Sequence, residues 1–264
     1  MPASRNPYHR TPGQPRLRRS VVVLMDILGY VEICRRAERE NQSQELLGKL
    51  YGALKNTREW LEEKNLEVES PTEVDRFALR AFTDNIVIGW PISSSSRNAA
   101  GSVLRHAMDK VSQFQMDMAL RGFFVRGAIS VGDVYIDDIA VFGPAHLNAY
   151  EAEQKQAITP RVILANSAVE AACEYQATYP ESESNPLSQR VRLDSDDLRF
   201  VNYLDFASHD VTLITQHRDI VSTKYQEHEA DLRIQSKYCW VAKYHNNFCA
   251  EHSEKFGQLN IPFL

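Results

Sequence analysis

Residues 21–30 read VVVLMDILGY, and the reading of this stretch decides the fold. Four aliphatic residues and a methionine run straight into Asp26. A short apolar run of this kind marks a buried strand. A carboxylate in a dry place is costly unless it is paired or holds a cation. Asp26 therefore either caps the next helix or binds a metal.

Working outward, a strand begins near Ser20 and ends at Asp26, and helices follow over Tyr30 to about Arg39 and about Ser43 to Lys64. In the second helix Leu47, Leu50, Tyr51 and Leu54 repeat at helical spacing. The acidic EVESPTEVD, Glu67 to Asp75, reads as a loop. In RFALRAFTDNIVIGWPI apolar residues flank Thr83, Asp84 and Asn85, which predicts a β-hairpin with Asp84 at its turn. SSSSRN is a loop, and residues 97–121 form a helix with Val103, Ala107, Val111, Phe114 and Met118 as its core stripe.

FFVRGAISVGDVYI reads as a strand pair turning near Gly132. GPAHLNAYEAEQ opens a helix with Pro144 in its first turn. RVILANSAVEAA is a strand and then a helix capped by Asn166 or Ser167. TYPESESNPLSQ is a surface loop, LRFVNYLDF a last strand, and about Ser208 to His252 is helical. Strand–helix–hairpin–helix–strand is ferredoxin-like, split β-α-β logic. The expected class is α+β, a central, largely antiparallel sheet with helices packed on it and C-terminal helices added.

The chain has 264 residues, 43% hydrophobic and 25% charged, ordinary values for a globular protein with a real core. The net charge of −5 argues against a nucleic-acid binder. Residues 1–19 carry five arginines and no acid, and read as a flexible arm or a clasp on a partner subunit. Residues 20–264 read as a single domain, with its helical extension from about 208. No run approaches the length of a membrane helix. Cys34, Cys173, Cys239 and Cys249 form no C-x-x-C pair, and read as buried thiols in a reducing, cytoplasmic setting.

In this element order the first strand and the hairpin are central neighbours, which brings Asp26 and Asp84 together. Like charges so placed repel, and a pair of hard cations removes the repulsion. Two metals about 3.5–4 Å apart suit an in-line displacement on a triphosphate. The Leu28-Gly29-Tyr30 turn at a helix start is a natural phosphate cradle. The alternative is that Asp26 is only a cap and Asp84 only a turn residue.

These residues carry a resemblance. MDILGY resembles the D-I-x-G-F start of class III nucleotidyl cyclases, and RAFTDNIVI their K-x-x-G-D hairpin. VRGAISVGDVY is similar to their R-x-G-I-x-x-G-x-V strand pair. VFGPAHLNAYEAE resembles F-G-x-x-V-N-x-A-x-R-x-E, and RVILANSAVEAA the strand and helix that follow it. The resemblance implies the class III catalytic fold. It implies Mg²⁺ or Mn²⁺ on Asp26, Asp84 and the Ile27 carbonyl, with Leu28, Gly29 and Tyr30 on phosphate. A homodimer with active sites at its interface is implied too.

Several positions depart from the family. Arg80 stands where purine cyclases commonly have Lys or Glu, and Thr83 replaces the hairpin glycine. Ala140 or a neighbour stands at the second base-reading site. Asn148 matches the transition-state asparagine if one residue is inserted. The arginine partner is then Ala152, or Glu151 without the insertion. This pattern is similar to the pyrimidine cyclases of bacterial Pycsar anti-phage systems, whose cyclic nucleotide switches on a separate effector.

The implied reaction is UTP to 3′,5′-cyclic UMP and pyrophosphate. Arg80 is the base-reading candidate because its fork matches a carbonyl-rich uracil edge. Tyr51 is an aromatic that either excludes a purine or belongs to the core. Arg126 binds phosphate or ribose, or pairs with a carboxylate. Asn148 is a ribose or transition-state ligand, or a packing residue. Lys243 is a further cation within reach of a triphosphate. CTP and purine cyclases are alternatives within the class. A nucleotide-binding sensor that has lost catalysis is the alternative outside it.

Overall fold

The structure is a computed structural model that describes residues 6–11, 13–63, 77–93, 98–179 and 186–262. The loop at 67–75 and the expected helix end at Lys64 lie outside the described residues, as do most of SSSSRN, residues 180–185 of the surface loop and residues 1–5 of the arm.

Strand β1 (Arg18–Ile27) is followed by α1 (Tyr30–Arg39), α2 (Ser43–Glu63), the hairpin β2 (Ala78–Phe82) and β3 (Asn85–Pro91), α3 (Ala99–Leu120) and β4 (Val125–Ile136). Then come β5 (Val141–Phe142), α4 (Pro144–Gln156), β6 (Val162–Leu164), α5 (Asn166–Gln176), β7 (Val191–Leu193) and β8 (Arg199–Val201). A 3-10 turn (Tyr203–Ala207) leads to α6 (Val211–Glu227), α7 (Leu232–Glu251) and α8 (Ser253–Phe256).

The sheet runs β2-β3-β1-β4-β6-β8-β7, with β5 paired to β4 at the side. Its first four strands are antiparallel and in the expected split order. β6 joins β4 in parallel, through the crossover helix α4. The fold is therefore α+β with a mostly antiparallel sheet.

β1 is the spine because both its faces are dry. Val21, Val23, Met25 and Ile27 pack with Val103, Leu104, Ala107, Val111, Phe114 and Met118 of α3. Val22 and Leu24 face the other layer, with Ala145 and Ala149 of α4 and Phe248 of α7. Burying each such side chain contributes about 1.5–3 kcal/mol over leaving it exposed. Gly127 lets β4 approach closely, because a Cβ there would sit 2.3 Å from the Leu24 carbonyl oxygen.

Several expectations need correction. The chain does not turn at Gly132; β4 continues unbroken over twelve residues. The reversal comes at 137–140, where Asp137 Oδ1 accepts from the N–H groups of Ile139 and Ala140, both at 2.7 Å. LRFVNYLDF is a three-residue strand and then the 3-10 turn, and Val191–Leu193, which carries no strong strand signal, pairs beside it. α5 has Ala165 at its cap position, while Ser167 Oγ accepts from Val131 N–H at 3.0 Å. Of the four thiols only Cys249 is buried.

The described part of the arm does not hang free. Tyr8 is 0% exposed and its hydroxyl donates to Ser20 Oγ at 3.0 Å. It lies over Gly89, where a Cβ would meet the Tyr8 hydroxyl at 2.4 Å.

Candidate metal and nucleotide site

β1 and β3 pair antiparallel with Asp26 opposite Asn85, and β4 places Arg126 on the other side of Asp26. Side chains alternate along a strand, so Asp26 shares the face of Val22 and Leu24. Arg126 lies on that face with Ala128, and Arg80 with Ala78. Phe82 pairs with Asn85, which leaves Thr83 and Asp84 as a two-residue turn. Thr83 has φ 56°, the sign that the first position of a II′-type turn requires, here met without a glycine. The Ile27 N–H donates to the Asp84 carbonyl at 3.2 Å and ties the turn to the end of β1.

The two carboxylates are within hydrogen-bonding reach of each other. Burial raises the Asp26 carboxyl to about 6; Arg126 opposes this and Asp84 adds to it. Burial also pushes Asp84 upward, but hydrogen bonds from Thr83, its own backbone, Asp26 and Asn85 hold it below the usual carboxylate range. Such a pair titrates as one coupled unit when no cation is present.

Arg126 answers one open question. Its Nε donates to Asp26 Oδ2 at 3.1 Å and its Nη2 lies 2.9 Å from Glu153 Oε1. Glu153, on α4, is 2% exposed. Arg126 therefore pairs with carboxylates. Glu153 was not singled out from the sequence, although Ala145, Ala149 and Ala152 set a buried face at helical spacing that includes it.

The phosphate cradle is smaller than expected. The Leu28 N–H is already committed to the Phe124 carbonyl at 2.8 Å, so it is not a phosphate donor. Gly29, at φ 72°, caps α1 without a side-chain cap bond. The Gly29 and Tyr30 N–H groups donate to no backbone acceptor among the described residues. Burial raises the Tyr30 hydroxyl, with Cys34 and Asp84 adding to the effect.

The remaining candidates divide. Arg80 Nη1 donates to the Asp137 carbonyl at 3.1 Å, which joins it to the turn carrying Ala140. Beside them Tyr135 donates to Asp137 Oδ2 at 2.5 Å and lies 2.9 Å from His9 Nε2 of the arm. Tyr51 is 64% exposed on α2, whose buried residues belong to the layer across the sheet from Asp26, so the fold does not bring it to the site. Asn148 is exposed on the outer face of α4, with Leu147 and Tyr150. Ala152 faces the core, and Glu151 pairs with Lys155 at 2.7 Å. Lys243 is exposed on α7.

No group of three or more His, Cys, Asp or Glu converges among the described residues. The side-chain oxygen donors that do meet, Asp26 and Asp84, are carboxylates, a hard pair that suits Mg²⁺ or Mn²⁺. The carboxylate pair fits a divalent cation, because cation charge offsets the burial that raises Asp26 and the repulsion from Asp84 that adds to it.

No helix among the described residues is long and apolar enough to cross a membrane. No protein-family model and no curated protein matches the sequence. Among solved structures the chain is similar to the guanylyl cyclase Cya2, at 12% identity and TM-score 0.42 over 70% of this chain and 91% of that one. It is similar to the monomeric guanylyl cyclase domain of the RhoGC fusion protein from the aquatic fungus Blastocladiella emersonii, at 10% identity and TM-score 0.44 over 70% and 96%. A class III adenylyl cyclase-like ATP-binding protein from Pseudomonas aeruginosa gives 12% identity and TM-score 0.44 over 82% and 44%.

Proposed function

We propose that this protein is a nucleotidyl cyclase that converts a ribonucleoside triphosphate, UTP by preference, to its 3′,5′-cyclic monophosphate and pyrophosphate. The observation that carries this reading is the adjacency of Asp26 and Asp84 at the mouth of a glycine turn into a helix N-terminus. Two divalent cations held there would lower the pKa of the attacking 3′-hydroxyl and neutralise the phosphates.

The chain's own groups position the substrate. The Gly29 and Tyr30 N–H groups donate to phosphate oxygens, aided by the positive end of α1. Arg126 buttresses Asp26 from the β4 side and is in turn held by Glu153. Catalysis is then mainly alignment and charge stabilisation. Arg80, one end of its fork anchored on the 137–140 turn, keeps other N–H groups for a base edge. A carbonyl-rich uracil suits those donors, and CTP or a purine suits them less well.

The active form is a homodimer with sites at the interface. Ile139, Phe142, Leu147 and Tyr150 are exposed on the turn, β5 and the outer face of α4, which supports this. The product acts as a second messenger in the cytoplasm, read by a separate effector in anti-phage defence.

One feature favours a second reading, a sensor that binds nucleotide without turning it over. α4 offers Glu151 and Ala152 where the resemblance expects an arginine. The test is incubation with each of the four ribonucleoside triphosphates, with Mg²⁺ and with Mn²⁺, followed by mass spectrometry. Cyclic UMP supports the full reading; cyclic AMP or GMP keeps the cyclase and removes the base assignment. Binding without any cyclic product supports the sensor.

A further inference from the structure

The C-terminal helices lie against the loop that follows Asp26. Leu28 and Phe124, joined by their backbone hydrogen bond, share a core with Tyr238, Val241 and Ala242 of α7 and with Ile261. Phe124 meets Tyr238 edge-on, with ring centroids 5.4 Å apart. α7 is thereby fixed to the loop that carries the available N–H groups of Gly29 and Tyr30. The residue before Tyr238 is Lys237. Its half-buried side chain is within electrostatic reach of Asp26 and Arg126, with Arg233 one turn earlier on α7.

Among the described residues the Lys237 ammonium makes no ion pair within 4.0 Å, whereas Arg126 is engaged by both Asp26 and Glu153. Burial, then Arg126 and Arg233, hold its pKa below the ordinary lysine value, while Asp26 and Asp231 oppose them. A half-buried ammonium with no ion pair of its own gains most from a multiply charged anion.

We infer that Lys237, delivered by the C-terminal helices, binds the phosphate chain of a nucleotide held at the Asp26–Asp84 site of the same subunit. This inference rests on the reading of that site as a triphosphate site. It gives the extension a part in binding beyond packing. It also assigns the role to Lys237 rather than to Lys243, which points to solvent.

The experiment uses the full chain and the variants Lys237→Gln, Lys237→Met and Lys237→Arg. Calorimetry measures binding of each ribonucleoside triphosphate, and of the matching monophosphate, in the presence of Ca²⁺; turnover is measured with Mg²⁺ or Mn²⁺. Removing the ammonium should weaken triphosphate binding by about tenfold or more, the range of a charge-assisted hydrogen bond. Monophosphate binding should change less than threefold, a threshold set well below that tenfold step. KM should rise more than kcat falls, and Lys237→Arg should restore most of the affinity. If Lys237→Gln does not fold, the thermal midpoint shows it, and Lys237→Met decides instead because it keeps an unbranched stem. Unchanged triphosphate affinity in a folded variant overturns the inference, as does equal loss for both ligands. A wild type that binds triphosphate but makes no cyclic product sinks the cyclase reading alone; one that binds no triphosphate sinks both.

Discussion

Arg126 Nε donates to Asp26 Oδ2 at 3.1 Å while the same guanidinium lies 2.9 Å from the buried Glu153. One cation thus links the end of β1 to the inner face of α4. Removing the fully buried member of this triad leaves Arg126 with Asp26 alone and part of its charge uncompensated. Glu153→Ala should therefore lower unfolding stability by about 3 kcal/mol. Urea melts of both proteins measure it. A loss within error of zero would mean that Arg126 is satisfied by Asp26 and water alone.

Asp26 works against stability. Burial and the neighbouring carboxylate raise its carboxyl to about 6, so at neutral pH its ionised form is held at a cost. Asp26→Asn should stabilise the metal-free protein by about 1–2 kcal/mol, after allowance for solvent screening. The same variant should abolish turnover. A melt without metal and a product assay on one preparation give both readings, and a destabilised variant would contradict the first.

A pH effect of opposite sense comes from His217 and His245. Both are 0% exposed, their Nδ1 atoms are 3.0 Å apart, and Tyr203 lies 2.7 Å from His217 Nε2. Burial holds both imidazoles below the ordinary histidine value, and each feels a second cation-forming neighbour, His245 for His217 and Arg218 for His245. The unfolded chain takes up protons near pH 6.5 while the folded chain does not, so this stability is kept above that pH and lost as pH falls below it. Asp26 gains stability over part of the same range, so the measurement belongs in Asp26→Asn. Its unfolding free energy should drop by about 1–3 kcal/mol between pH 7.5 and 5.5. A flat profile would mean that the imidazoles are already protonated or exposed.

The part of the site that the sequence reveals is the part made by local signals. VVVLMD, the Thr83-Asp84 turn and Pro144 each announce an element, and the element order puts Asp26 next to Asp84. What it hides comes from long-range packing. Glu153 meets Arg126 only because α4 crosses β4, and α7 lies against the loop after Asp26 only because Tyr238 docks on Phe124. Gly132 misled because glycine in a strand also marks close approach; here its Cβ would meet Ala145 at 3.4 Å. Nothing local in the sequence shows that the Leu28 N–H, a natural phosphate donor at the turn, is taken by the Phe124 carbonyl.

Arg80 carries the base assignment, and its geometry makes that assignment testable apart from the chemistry. It stands on β2 on the face that bears Asp26, and one of its nitrogens is anchored on the Asp137 carbonyl. If its remaining donors read the base, Arg80→Lys keeps the charge and loses the planar fork. The kcat/KM for the preferred nucleotide should then fall by about tenfold or more, a loss of one charge-assisted hydrogen bond. The other nucleotides should lose little, so the ranking of all four narrows. A substitution that merely loosens the 137–140 turn would lower all four rates together. Competition among the four triphosphates in one reaction, with products resolved by mass, separates these outcomes. A uniform loss would return Arg80 to a structural role.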